Sequence, residues 1–225
     1  AVAAINGCYF PSDFEADIQI DRQGRYRFTY VGKLTDLSMA QRMARGDLQG
    51  TAVLGRIEIA ERDLRRDSAF KKIQYEEKAR FDVTYQRDGY IIGEKSLNFI
   101  RLNSRFLTLK YNKNTGEVTI IGGKPNENHA DALEQAGLEF NGVLRIWTNV
   151  QPKKHNAKDI TTRGQLTVYS WDIKNVRQKV PIFKFVPQPQ STRIATGTIN
   201  WKRLRMCRFS SARSRRRRFY RCPRK

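Results

Sequence analysis

An α+β fold, a mostly antiparallel β-sheet with a helical insert at about residues 36–66 and a short helix near 126–136, is predicted by three patterns in this sequence. Apolar and polar residues alternate over several short runs, the period-two signature of strands with one wet face. One long stretch instead repeats its apolar residues every three or four positions, as an amphipathic helix does. Turn-forming residues punctuate the runs.

The first two strands form a hairpin over 14–33. Phe14, Ala16, Ile18 and Ile20 alternate with Glu15, Asp17, Gln19 and Asp21, and Tyr26, Phe28 and Tyr30 alternate with Arg25, Arg27 and Thr29. The turn between them is Asp21-Arg22-Gln23-Gly24, where Gly24 supplies positive φ. The helical insert comes next, with Asp36 or Ser38 as cap. Leu37, Ala40, Ala44 and Leu48 make one stripe and Val53, Ile57, Ala60 and Leu64 a second, and Gly46, Gly50 and Gly55 place a break between them.

Strands resume at Phe70–Tyr75 and Ala79–Tyr85, and Asp88-Gly89 reads as a turn. Leu97–Ile100, Phe106–Tyr111 and Glu117–Ile121 are further strands, the last two joined by the loop Asn112–Gly116. Ala130, Leu133 and Ala136 share one side of the short helix, which Gly137 stops. A long strand is expected over Leu138–Val150, another over Gln165–Ile173 and a last one over Pro181–Val186. In the strand that ends at Ile173, Trp171 should face the core and Asp172 the solvent, because neighbours alternate across a strand.

Composition narrows the function. The 225 residues carry 43 Lys and Arg against 22 Asp and Glu, a formal charge of +21. The excess is concentrated at the end: residues 201–225 hold twelve basic residues and no acidic one, which leaves 31 basic against 22 acidic before them. That body could face anionic headgroups as readily as phosphodiesters. Three cysteines provide no disulfide framework. No run reaches the roughly 18 apolar residues of a transmembrane helix.

Catalytic motifs are not evident. His129 and His155 have no partner at metal-ligand spacing; His129 reads as solvated and His155 as fixing a turn. There is no phosphate-binding glycine loop and no Gly-x-Ser-x-Gly elbow. Glu15, Asp17 and Asp21 share one strand face, and an exposed polar face explains them better than acid/base or metal chemistry. Asn156, before Ala157, reads as an Asx-turn. The reading is therefore a non-enzymatic protein with no catalytic, cofactor or metal residues.

The N-terminal segment is more informative. Ile5-Asn6-Gly7-Cys8 comes after small apolar residues and precedes a rise in polarity, as in the bacterial lipobox. Residues 1–8 are read as the end of a lipoprotein signal peptide with Cys8 as the lipidated residue. Residues 9–187 would then be one α+β domain and 188–225 a basic tail. Three readings of the tail stay open: a nucleic-acid arm, a polybasic clamp on the membrane, or an out-of-frame translation product.

Several segments together resemble the LppM-like envelope lipoprotein domains. They are Asp17–Gly24 with the aromatic strand after it, Gly142–Thr148, His155-Asn156-Ala157 and Tyr169–Ile173. The insert at 36–66 and the basic tail depart from that pattern. The resemblance implies a lipoprotein of the bacterial cell envelope, held on the membrane by its lipid and facing the periplasm or exterior, whose domain binds a lipid or lipoglycan, as some members of the group are implicated in doing, or serves another interaction. The alternative function is nucleic-acid binding through the Arg-rich tail, helped by a stacking platform of Tyr26 and Tyr30 beside Arg25 and Arg27.

Overall fold

The computed structural model describes residues 9–101, 104–123, 130, 131, 133, 134 and 137–188. Its principal elements run in the order β1 (Tyr9–Ile20), β2 (Arg25–Asp36), α1 (Leu37–Ala44), α2 (Thr51–Arg65), β3 (Phe70–Tyr75), β4 (Arg80–Tyr90), α3 (Ile91–Glu94), β5 (Ser96–Arg101), β6 (Ser104–Asn112), β7 (Glu117–Gly122), β8 (Gly142–Thr148), β9 (Lys154–His155), β10 (Asp159–Arg163), β11 (Leu166–Ile173) and β12 (Ile182–Phe185). The α+β class is as expected, but the strands divide between two sheets. One has the order β10-β11-β8-β1-β2-β4-β3 and the other β5-β6-β7-β12-β9. Among the described strands all pairings are antiparallel except β1 with β8.

The period-two residues of the first hairpin build the interior. Phe14, Ala16, Ile18, Ile20, Tyr26, Phe28 and Tyr30 are all buried. They meet the second sheet through aromatic contacts: Phe28 lies edge-on to Phe99 at 5.0 Å and Phe14 to Phe106 at 4.8 Å, and elsewhere in the core Tyr169 meets Phe183 at 5.0 Å. Such tilted and edge-to-face pairs add to the area they remove from water. Burial also pushes the Tyr30 hydroxyl pKa well above its ordinary range.

The insert forms as two helices. Asp36 caps α1 by accepting from the Met39 N–H at 3.0 Å, and it also accepts from Ser38 Oγ and Arg56 Nη2 at 2.8 Å each. Gly46 and Gly50 carry positive φ between the helices, whereas Gly55, expected in the same break, lies inside α2. Ala60 and Leu64 of α2 join the main core. The short helix is helical at Ala130, Asp131, Leu133 and Glu134. Ala130 and Leu133 pack with Phe10, Leu37 and Val176, and Gly137 closes the turn with φ +65°. Ala136 lies outside the described residues.

Asp88-Gly89 is not a turn. Both residues lie inside β4, opposite Arg27 and Tyr26. Asp88 is held by a two-pronged pair with Arg27, at 2.6 and 2.9 Å. Gly89 serves close approach instead, since a Cβ there would stand 2.5 Å from the Tyr26 hydroxyl and 2.2 Å from Glu94 Oε1. The chain changes sheet one step later, through α3, where the Ile91 N–H donates to Gly24 O. The long strand also contracts to Gly142–Thr148. Leu138 and Phe140 pack on the short-helix cluster instead of joining the ladder.

Candidate functional site

The expected lipidation residue, Cys8, lies outside the described residues, as do His129 and the basic tail from Pro189 onward. Its neighbour Tyr9 already belongs to β1, opposite Asp36, is buried, and sends its hydroxyl toward Ala60 O of α2 at 3.4 Å. The first strand and the helical insert therefore meet where the chain enters the domain.

On the outer face of the seven-stranded sheet, parallel pairing of β1 with β8 sets Asp17 opposite Arg145 and Gln19 opposite Trp147. Arg145 lies 3.1 Å from Glu15 and 3.4 Å from Asp17. The Trp147 indole N–H donates to Asp17 at 2.8 Å, and Arg163 sits 5.8 Å from the centre of its ring system. The carboxylates that sequence placed on an open polar face are thus consumed by a guanidinium and an indole. Asp21 is not part of that face: it is buried and its Oδ1 accepts the backbone N–H groups of Gln23 and Arg25, shaping the hairpin turn.

Asn156 also differs from the expected Asx-turn. Its Oδ1 accepts from Trp171 Nε1 at 2.9 Å and from the Ile182 N–H at 2.8 Å, while its amide donates to Val180 O at 2.8 Å. One side chain thereby ties β11 of the first sheet to β12 of the second. Trp171 is buried and Asp172 exposed, as expected. His155 fixes no turn: it lies in β9 opposite Phe183, with its ring 4.9 Å from that of Tyr169.

Tyr26 and Tyr30 point into the core, 3% and 0% exposed, while Arg25 and Arg27 point outward. Rings and guanidinium groups are on opposite faces of β2, so they form no common stacking platform.

A crevice lies between the β6–β7 pair and the loop 175–181, lined by Phe106, Phe140, Leu144, Ile173, Val176 and Pro181 among others. It encloses about 20 Å³, room for about one water and far less than an acyl chain. The amide of Gln178, on its rim, is spent on backbone: Nε2 donates to Asp172 O and Oε1 accepts from the Lys174 N–H. Among the described residues no cluster of three metal-ligating side chains is found, and no helix is long and apolar enough to cross a membrane.

β9 and β10 are not legible from alternation, because β9 is two residues long and β10 is exposed at all five positions. The β-branched run Ile160-Thr161-Thr162 before Gly164 is the signal that could have found β10.

No family model matches this chain, and no curated protein matches it. Among solved structures, the NMR structure of the folded domain of LppM from Mycobacterium tuberculosis is similar to it at a TM-score of 0.41 and 11% identity, covering 84% of this chain and 95% of that one. The structural similarity is weak.

Proposed function

We propose that this chain is a bacterial envelope lipoprotein, anchored by lipid on Cys8, whose folded body binds a lipid or lipoglycan rather than catalysing a reaction. The observation that carries the reading is the motif Ile5-Asn6-Gly7-Cys8 set directly before the first strand. A lipid on Cys8 would hold the domain against the bilayer with no long linker between them. The packed interior and the water-sized crevice favour contact with a ligand at the surface over enclosure of an acyl chain. The Glu15 and Asp17 carboxylates are engaged by Arg145 and Trp147, and the Asn156 and Gln178 amides by Trp171 and backbone, which supports a structural role for these groups.

One acyl chain holds a protein on a membrane only marginally, and two or more hold it stably. Expressed behind a lipoprotein signal sequence in a bacterium, the protein should enter the detergent phase and carry lipid mass on its N-terminal peptide. Cys8→Ala should move it to the aqueous phase. Unchanged partitioning, with no lipid mass on the wild-type peptide, would overturn the assignment.

A further inference from the structure

The seven-stranded sheet ends in two edges of different character. At β3 the edge carries Lys71 and Lys72, both exposed, and the neighbouring helix α2 packs beside it. Charged lysines and a covering helix are the usual protections of a sheet edge. At the other end, among the described residues, no helix packs beside β10, and its charges are one Asp and one Arg instead of lysines. Its five residues, Asp159-Ile160-Thr161-Thr162-Arg163, are all exposed, and among the described strands they form a ladder with β11 alone. In the five-stranded sheet the edge β9 is two residues long and the edge β5 is interrupted by a bulge at Phe99 and Ile100. Among the described strands β10 is the open, regular edge.

Its sequence is complementary to itself. Let two copies of β10 run antiparallel about a two-fold axis through Thr161. Asp159 then stands opposite Arg163 of the second copy, Arg163 opposite its Asp159, and Ile160 opposite its Thr162. Paired residues differ by an even number of positions, so each group aimed at the free edge meets a group aimed the same way, as an antiparallel ladder requires. The faces agree too. Asp159, Thr161 and Arg163 lie opposite Ser170, Val168 and Leu166, on the outer face that holds Arg145 and Trp147. Ile160, opposite Tyr169, lies on the inner face and is 47% exposed. Both ion pairs therefore form on one side of the sheet, and Ile160 gains cover on the other.

We propose that β10 is a homodimer edge: two copies of this chain pair there antiparallel, centred on Thr161, to join their seven-stranded sheets across a two-fold axis. The isologous geometry closes after two copies, as most soluble assemblies do. The proposal is independent of the anchor at Cys8, because it uses only the folded body.

Charge reversal tests the register. Asp159→Arg sets arginine against arginine at both ends, and Arg163→Asp sets aspartate against aspartate. Each variant alone should dimerise about tenfold less well than the wild type in sedimentation velocity, since cross-strand pairs change from attractive to repulsive twice over. An equimolar mixture of the two should recover the dimer, because each mismatched end then meets its opposite. Both positions are exposed, and unchanged circular dichroism would confirm folding. A second measurement captures even a weak dimer. In the full chain with Cys8, Cys207 and Cys222 changed to serine, Thr161→Cys should cross-link readily on oxidation, because directly opposed Cα atoms lie about 4.5–5.5 Å apart, within disulfide reach. Thr162→Cys, two steps out of register with its own copy, should cross-link far more slowly. Equal cross-linking at the two positions, or a mixture no more dimeric than its components, would overturn the proposal. So would pairing of an unrelated extended peptide at β10 with no self-association of the wild type.

Discussion

Asn156 shows how much one polar side chain decides in this fold. It answers the indole N–H of Trp171 in one sheet, the backbone N–H of Ile182 in the other and the carbonyl of Val180 in the loop between them. Asn156→Ala leaves Trp171 Nε1 and the Ile182 N–H without partners, and a buried donor so stranded costs about 1–3 kcal/mol. The variant should therefore lose roughly 2–6 kcal/mol in denaturant unfolding. With Trp171→Phe the indole donor is gone, so the same Asn156 change should cost less. Equal losses in the two backgrounds would mean that the bracket acts through Ile182 alone. At this scale the sequence is informative about Trp171, whose inward direction comes from alternation, and silent about Asn156. An asparagine in a loop has the same appearance whether it bonds its own backbone or a tryptophan fifteen residues away.

Among elements, the pair β7–β12 carries the clearest electrostatic device. Glu117 accepts from Lys184 Nζ at 2.8 Å and from Thr119 Oγ1 at 3.4 Å, with Lys153 Nζ at 3.7 Å. The hydrogen bond and charge of Lys184 hold the Glu117 carboxyl below its ordinary 4.5. A carboxyl depressed in the folded state contributes stability that is complete above the unfolded value and is lost as pH falls through the folded one. Lys184→Met should therefore unfold more easily than wild type at neutral pH, and the gap should narrow as pH drops below 4.5. A gap that stays constant with pH would assign the effect to packing in β12. The strands themselves are legible from the alternation Val118, Ile120 and Phe183, Phe185, but their placement in a second sheet is not. Period two identifies an inward face without saying which sheet will lie against it.

Over the whole molecule, the described body closes on itself. Gln188, after the last strand, donates its N–H to Arg22 O at the first hairpin turn. A chain ending at Gln190 should keep the thermal midpoint and the unfolding cooperativity of the full protein. Its affinity for nucleic acid should fall sharply, because removing 191–225 takes away all twelve basic residues of 201–225 and with them most of the counterion release. Selective nucleic-acid binding by that shortened chain would instead point to a reader surface on the body, which the burial of Tyr26 and Tyr30 disfavours. Weak, salt-sensitive adhesion to anionic vesicles is expected of its remaining positive charge.

By itself the sequence determined the strand-rich class, the first hairpin, the capped and glycine-broken helical insert and the inward direction of Trp171. These depend on periodicity and on local hydrogen bonding, both of which are written within a few consecutive residues. Only the tertiary structure decided that the strands form two facing sheets and that β8 pairs parallel to β1. It also decided that Gly89 makes room for a tyrosine instead of turning the chain, and that β10 ends the seven-stranded sheet among the described strands. Each of these depends on a neighbour distant in sequence, as Gly89 does on Tyr26, the Glu15 and Asp17 carboxylates on Arg145, and Asn156 on Trp171. Contacts of that kind become fixed only when the apolar faces close against one another and bring remote side chains within hydrogen-bonding distance.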